Sequence, residues 1–445
     1  MSTAGGPATV VLSPPPTPNG PLHVGHLSGP YLAADVAVRA ARRHGAPVLA
    51  VCGLDDHQNY VVSAARAAGL PPEQLRARNA GRIRLVFERA LIRHDLFIEP
   101  SADAGYRAAV AGLFAELTAA GTFPVRSWTQ PACAACAGTL HHAYVGGGCP
   151  RCGSRSGGGT CEGCGSFVTA ATLVEPRCTR CDRPATGEQT VTGPVLPLAE
   201  HRAALLEVWS RAMLPPRIRR LIEATLAGGL PQVPLSYPTD WGIPAGIDGQ
   251  RIDAWAEMVL GYLYALGTRF APAACDLAGY LTGWRSVGEL WAFLGIDNGF
   301  YYAIMFPAVL LAAGVDAGII GGLVVNEFYR LDGQKFSTSR QHAIWAEELL
   351  EQIGPELLRL FLCWDRPGAF ASDFTLDRFR RVVQDWPDGL AAGPAPADLA
   401  RAEQALTLPH FAPDLAARCL LPSFGGGQGD RAAAAELLGL LTGRD

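Results

Sequence analysis

Apolar residues along this chain fall into short runs punctuated by glycine and proline. Residues 8–13 (ATVVLS) are an apolar run between Gly5-Gly6-Pro7 and a triple proline, the pattern of a strand buried on both faces. A Pro/Gly-rich loop follows. Leu27, Tyr31, Ala34 and Val38 then recur at helical spacing, and Gly45 suits the helix stop. Residues 47–53 (PVLAVCG) read as the next strand. Strand, Gly-containing turn, helix, strand is a βαβ unit and predicts a parallel sheet. Helical stretches are expected around 73–97, 105–120 and 199–228. Apolar stretches near 251–264, 288–296 and 299–313, with strand-like 318–325, suggest the second half of the sheet. The loop DGQKFSTSR precedes helices expected at 344–363 and 375–384. Beyond 386 the chain is rich in Ala, Pro and Gly, with GGGQGD expected as a flexible linker before a short Ala/Leu helix.

Composition sharpens this outline. A chain of 445 residues is too long for one core, so two or three domains are expected. The longest apolar runs fall short of the roughly 18–20 residues that span a membrane. The N-terminus lacks a charged n-region and a long apolar h-region, so a soluble cytoplasmic protein with no membrane partner is expected. The net charge of −4 argues against a general nucleic-acid coat, though not against a local groove. Of the 37 basic residues, Lys335 alone is a lysine; the other 36 are arginines. Chance survival on a solvated loop is one explanation. The other is chemistry that needs a compact ammonium rather than a planar guanidinium.

The helical and strand patterns are interrupted at about 122–195 by a segment poor in large apolar residues. Eight of the 12 cysteines lie there as four CxxC pairs: Cys133/Cys136, Cys149/Cys152, Cys161/Cys164 and Cys178/Cys181. Two CxxC knuckles complete a tetrahedral Cys₄ zinc site. The segment cannot build a core of its own, so metal would supply its folding energy. Several pairings, with one or two Zn²⁺ ions, satisfy the spacing. Disulfides are the alternative, disfavoured in a chain with no secretion signal.

Three motifs offer chemistry. Pro18–His26 (PNGPLHVGH) lies between strand and helix, where parallel sheets bind ligands and a helix start attracts phosphate. His23 and His26 can donate to phosphate oxygens, and Gly20 and Gly25 let a nucleotide approach the backbone. Gly53-Leu54-Asp55-Asp56-His57 follows the second strand, and a carboxylate there can hold an ammonium. Lys335-Phe336-Ser337-Thr338-Ser339 is a loop with one lysine, fit to stabilise charge on a reacting phosphate. Each alone is weak: two ordinary histidines, a pair of solvated aspartates and a polar loop explain them equally well.

Their order is specific. HVGH after the first strand, GLDDH after the second, a four-knuckle insertion and KFSTS past the last strand resemble methionyl-tRNA synthetase, a class I aminoacyl-tRNA synthetase, over residues 8 to about 385. The resemblance implies an α/β fold: a Rossmann-type parallel sheet with a zinc-knuckle connective insertion and a short helical C-terminal segment. It implies a first catalytic half at 1–121, the insertion at 122–228, the second half at 229–325, the KMSKS-like loop and stem-contact helices at 326–385, and a tail at 386–445. It also implies that Cys149, Cys152, Cys161 and Cys164 share one zinc and Cys133, Cys136, Cys178 and Cys181 another.

The implied reaction is attack of an amino-acid carboxylate on the α-phosphorus of ATP, bound with Mg²⁺, with loss of pyrophosphate. His23, His26 and Lys335 would be catalytic. Gly20, Gly25, Gly295, Asp297, Ser337 and Ser339 would bind ATP. Asp55 would pair with the substrate ammonium, and Thr17, Trp255, Met258, Tyr262 and Tyr302 would line the amino-acid pocket.

The chain departs from the family pattern at three places. The second lysine of the loop is Thr338. Pro15-Pro16-Thr17 stands for Leu-Pro-Tyr, Met258-Val259 for Ala-Pro and Tyr302 for a histidine, so the pocket gains bulk and a smaller side chain than methionine, such as glycine, is expected. The tail is too short for a full anticodon-binding helix bundle. The leading expectation is therefore tRNA-independent activation. The aminoacyl group would pass to a small-molecule acceptor such as a hydroxylamine, as in the synthetase-like half of cupin-linked hydrazine synthetases, with a separate cupin protein as partner. The alternatives are a genuine methionine–tRNA ligase with a truncated C-terminus, using the tRNA acceptor end, and a non-catalytic zinc-stabilised binding protein.

Overall fold

The computed structural model describes residues 7–336, 342–384, 386, 396–421 and 430–444. Five parallel strands form the central sheet: β1 (Ala8–Leu12), β2 (Val48–Gly53), β3 (Leu96–Ile98), β4 (Val287–Gly295) and β5 (Ile320–Asn326), in the order β5-β4-β1-β2-β3. β1 shows why the sheet is buried on both faces. Side chains alternate along a strand, so Val10 and Leu12 enter one apolar core and Val11 enters the other. The sheet's order turns at β1, with β4 on one side and β2 on the other. The crevice at the carboxyl ends of these strands is the ligand site of such folds.

The chain leaving β1 forms a single turn at Val24–His26, a wider π-type turn at Leu27–Tyr31, then the regular helix α1 (Leu32–Arg43). The expected helix from Leu27 is thus broken at its start. Pro30 has no N–H to give, and Gly29 carries a non-helical ψ of −115°. α1 ends as expected, with Gly45 at a positive φ of 72°.

The outline is corrected at several points, one being that the stretch 199–228 is two helices, Arg202–Arg211 and Pro216–Ala227, parted before Pro215. The stretch 73–97 is not one helix: Pro72–Arg89 is helical, Leu91 turns the chain at φ 56°, and Leu96–Ile98 becomes β3. Asn59–Ala68 is a helix that the pattern did not announce, because its N-cap Gln58 makes no side-chain cap. In the second half, α2 (Ala254–Phe270) is capped by Asp253, whose carboxylate accepts from the Trp255 N–H.

The insertion departs on two antiparallel strands, Val125–Cys133 and Gly187–Pro197, with Ala132 opposite Gly187 and Val125 opposite Pro194. The knuckles sit at the end of this arm. Past β5, Leu376–Gln384 is helical as expected, but the helix expected at 344–363 is broken at Gly354 (φ 86°) into Ala346–Ile353 and α3 (Pro355–Trp364), and the tail adds helices Pro396–Ala405, Pro413–Leu420 and α4 (Arg431–Thr442). The tail packs on the catalytic core, burying Leu437 and Leu441 with α1 and α3 residues. The expected linker GGGQGD lies outside the described residues except for Asp430, which caps α4 by accepting from the Ala432 and Ala433 N–H groups. Among the described residues, no helix is long and apolar enough to cross a membrane.

Candidate active site

The sheet brings three distant motifs to one crevice. His23 and His26 stack with ring centroids 3.7 Å apart, and the His23 N–H donates to His26 Nδ1 at 3.1 Å. Phe336, from the KFSTS loop, lies over the other side of His23 with centroids 4.8 Å apart. Gly25 completes the cradle. A methyl group there would stand 3.0 Å from His23 Nδ1 and 3.3 Å from Phe336 Cδ2, so side chains in this turn would displace both rings. The strand at Gln334–Lys335 pairs with Tyr329–Leu331, with Lys335 opposite Arg330. Ser337, Thr338, Ser339 and Arg340 lie outside the described residues.

Asp55 follows β2 and is half-buried beside Thr17, whose hydroxyl donates to Asp55 Oδ2 at 3.1 Å. Burial pushes the Asp55 carboxyl well above the usual carboxylate range. The nearby Glu257 carboxylate pushes it further, and the Thr17 hydroxyl pulls it back. Such a group gains from meeting a cation. Glu257 itself, on α2, pairs with His57 at 2.7 Å through Oε1, while its Oε2 is buried with no hydrogen-bond partner. Burial alone would lower the His57 imidazole, but the Glu257 carboxylate outweighs it and the net direction is upward. Neither Glu257 nor the role of His57 was foreseen. GLDDH showed the histidine, but its partner is 200 residues away.

Trp255, Met258 and Tyr262 share α2, at spacings of three and four that set them on one face. Trp255 packs on Tyr301 with centroids 4.3 Å apart. The Tyr302 hydroxyl lies 3.5 Å from the Tyr262 hydroxyl and points at Met258 Sδ at 3.9 Å. Four of the five expected pocket residues, Trp255, Met258, Tyr262 and Tyr302, are thereby drawn together, with Tyr301 added, while Thr17 sits beside Asp55. Trp255 and Tyr301 also line a small pocket together with His142, Phe167 and Asp253. Gly295 ends β4, and Asp297 follows in a short turn, Ile296–Asn298. Gly20 is in the loop before His23, remote in sequence from Gly295 but at the same carboxyl edge.

The cysteines form two tetrads: Cys133, Cys136, Cys178 and Cys181, and Cys149, Cys152, Cys161 and Cys164. Within them Cys133–Cys181 and Cys152–Cys161 are 3.6 Å apart, Cys149–Cys164 3.8 Å and Cys136–Cys178 3.9 Å. Tetrahedral thiolates about 2.3 Å from Zn²⁺ stand about 3.8 Å apart, whereas a disulfide needs about 2.05 Å. Both tetrads therefore fit zinc with all four positions filled by protein, a structural rather than a catalytic arrangement. The second tetrad is tied to the catalytic half: the Gly163 carbonyl accepts from Arg217 at 3.0 Å, and Phe167 stacks on Phe300 at 4.8 Å.

Residues 9–386 match the family described as tRNA synthetases class I (M). The chain is 32% identical over 371 residues to the methionine–tRNA ligase of Thermomicrobium roseum, covering 82% of this chain and 63% of that protein. It is 29% identical over 387 residues to the methionine–tRNA ligase of Pyrococcus furiosus, covering 83% and 53%. The chain thus spans between about half and just under two thirds of the length of these curated relatives. Its fold is similar to that of Mycobacterium tuberculosis methionyl-tRNA synthetase in complex with methionyl-adenylate, with a TM-score of 0.68 at 19% identity over 98% of this chain and 89% of that one. A parallel sheet carrying HVGH and GLDDH at one edge with Phe336 against His23, a doubly knuckled insertion and this sequence kinship agree: the chain belongs to the class I tRNA synthetases, methionyl (M) type.

Proposed function

We propose that this protein activates an amino acid with ATP, forming an aminoacyl-adenylate and pyrophosphate, and passes the aminoacyl group to the acceptor end of a tRNA. The observation that carries the first half is the convergence of His23, His26 and Phe336 at one edge of the sheet, with Asp55 held by Thr17 after the neighbouring strand β2. In this reading His23 and His26 donate to the triphosphate, and Lys335 stabilises charge on the departing phosphates. Asp297 holds the ribose, and Asp55 receives the substrate ammonium. Gly20, Gly25, Gly295, Ser337 and Ser339 complete the nucleotide site. Thr17, Trp255, Met258, Tyr262 and Tyr302 enclose the amino-acid side chain. Catalysis is then positioning and charge stabilisation on a preformed surface, with Mg²⁺ entering as the counter-ion of ATP. The two zinc ions hold the insertion. Transfer to tRNA is favoured over a small-molecule acceptor by the relatives, which are methionine–tRNA ligases. Nothing in the fold or the relatives supports a hydroxylamine acceptor or a cupin partner.

The same names favour methionine as the amino acid. One observation favours a smaller one: the two bulkier replacements meet, the Tyr302 hydroxyl lying 3.9 Å from the Met258 thioether. Amino-acid-dependent exchange of pyrophosphate into ATP, run with each of the twenty amino acids, tests both readings. Exchange with methionine is the expected result. Exchange with glycine or alanine but not methionine transfers the assignment to the narrower pocket, and no exchange with any of them defeats activation altogether. In the same assay Lys335→Ala is expected to slow exchange about 10²- to 10³-fold. An unchanged rate removes Lys335 from the chemistry.

A further inference from the structure

Asn326 is the last residue of β5, opposite Gly295 in the parallel register with β4. It therefore stands at the carboxyl edge of the sheet, beside the turn that carries Asp297. On its other side is Gly29, in the broken helix start after HVGH. A methyl group on Gly29 would lie 3.0 Å from Asn326 Nδ2 and 3.1 Å from Oδ1, so the amide packs flat over that glycine. The amide's orientation is fixed: Nδ2 donates to the Glu327 carbonyl at 3.0 Å, and a flipped amide would set two oxygens against each other. Oδ1 is thereby committed to the other side, where it is buried without a hydrogen-bond partner, in a residue only 6% exposed. A buried carbonyl left unsatisfied costs about 1–3 kcal/mol, so folded proteins keep few of them.

We infer that Asn326 is a nucleotide-binding residue whose side-chain carbonyl accepts a hydrogen bond from the nucleoside part of ATP. Three features assign the donor to the nucleotide rather than to the amino acid. The strand order β5-β4-β1-β2 sets β5 three strands away from β2 and Asp55, about 14 Å at the usual strand spacing. Its neighbours Gly295 and the Asp297 turn belong to the proposed ATP site. Oδ1 is an acceptor only, so it complements a hydroxyl or amine and not a phosphate or carboxylate. The nucleoside supplies such donors as ribose hydroxyls and as the adenine amino group.

The inference rests on the activation reading, so its test separates the two. ATP binding to the full chain is measured by calorimetry without amino acid, for wild type and Asn326→Ala, and repeated with 2′-deoxy-ATP, 3′-deoxy-ATP and inosine triphosphate. The expected result is an ATP Kd about 5- to 10-fold weaker in the variant. One analogue should bind wild type more weakly than ATP yet bind the variant as ATP does. That analogue names the donor, ribose or base. An unchanged ATP Kd overturns the inference, as does weaker binding in which every analogue is discriminated as in wild type. If Asn326→Ala does not fold, Gly29→Ala, which pushes the amide from its place, is expected to give the same analogue pattern, and a different pattern overturns the assignment. A wild-type chain that binds ATP but exchanges no pyrophosphate defeats activation and leaves the Asn326 comparison standing.

Discussion

Asp55 shows how one residue's environment sets a measurable behaviour. Its carboxyl is raised by burial and by Glu257 and lowered by the Thr17 hydroxyl. Only the ionised form accepts an ammonium, so the amino-acid KM in pyrophosphate exchange is expected to rise as pH falls through that raised pKa. The ATP KM should change less. Removing the hydroxyl with Thr17→Val takes away the one neighbouring dipole that favours the carboxylate, so the KM rise should move to higher pH. A profile that stays put, or moves lower, contradicts the assignment of Asp55. The motif GLDDH announced a carboxylate after the second strand. It could not announce Glu257, because the field at Asp55 is made by a helix from the other half of the sheet.

At the scale of elements, the proposed zinc sites would make the knuckled insertion a metal-built unit. Its small core consists of Cys133, Cys149, Cys161 and Cys178 with Leu140, Tyr144, Val145, Val168, Ala170 and Leu173. So little apolar surface cannot offset the entropy of ordering the arm, and thiolate–zinc bonds must supply the difference. Two equivalents of zinc per chain are expected by elemental analysis, and one in Cys161→Ser. Chelation should unfold the arm, seen as a new low-temperature transition and as eight additional reactive thiols. One equivalent in wild type, or thiols that do not react after chelation, contradicts two Cys₄ sites. The CxxC spacing made the ligands readable, since both partners of a knuckle are local. Spacing left several tetrads open, and it is the pairing of strands Val125–Cys133 and Gly187–Pro197, with Ala132 opposite Gly187, that closes the arm and brings the outer knuckles together. Proximity in sequence also hid an effect: Phe167 and Gly163 tie the inner tetrad to Phe300 and Arg217 in the catalytic half.

At the scale of the whole molecule, a buried ionic cluster fastens the tail to the catalytic core. Asp35 on α1 accepts from Arg39 Nε and from Arg359 Nη2, both at 2.7 Å. Arg359, on α3, also donates to the Ala90 carbonyl at 2.9 Å and to the Leu441 carbonyl at the end of α4 at 3.1 Å. One guanidinium thus joins four segments and satisfies helix ends that would otherwise carry bare carbonyls. Asp35→Ala removes the carboxylate that both arginines share, and is expected to cost about 3–5 kcal/mol in urea unfolding and to open the tail to protease. A loss under about 1 kcal/mol would mean the tail is held by its apolar face alone. By itself, the sequence determined the features whose physics is local. The apolar run of β1 demands burial on both faces, βαβ order demands parallel strands, CxxC presents two thiolates from one turn, and HVGH sits at a strand-to-helix junction wherever the chain folds. What only the tertiary structure decided are meetings between distant segments: Phe336 upon His23, Glu257 beside Asp55, Arg359 closing over α4, and Asn326 left with an unfilled acceptor. Those depend on which strands lie adjacent and on what the packed interior leaves unsatisfied, and neither is encoded in any single stretch of residues.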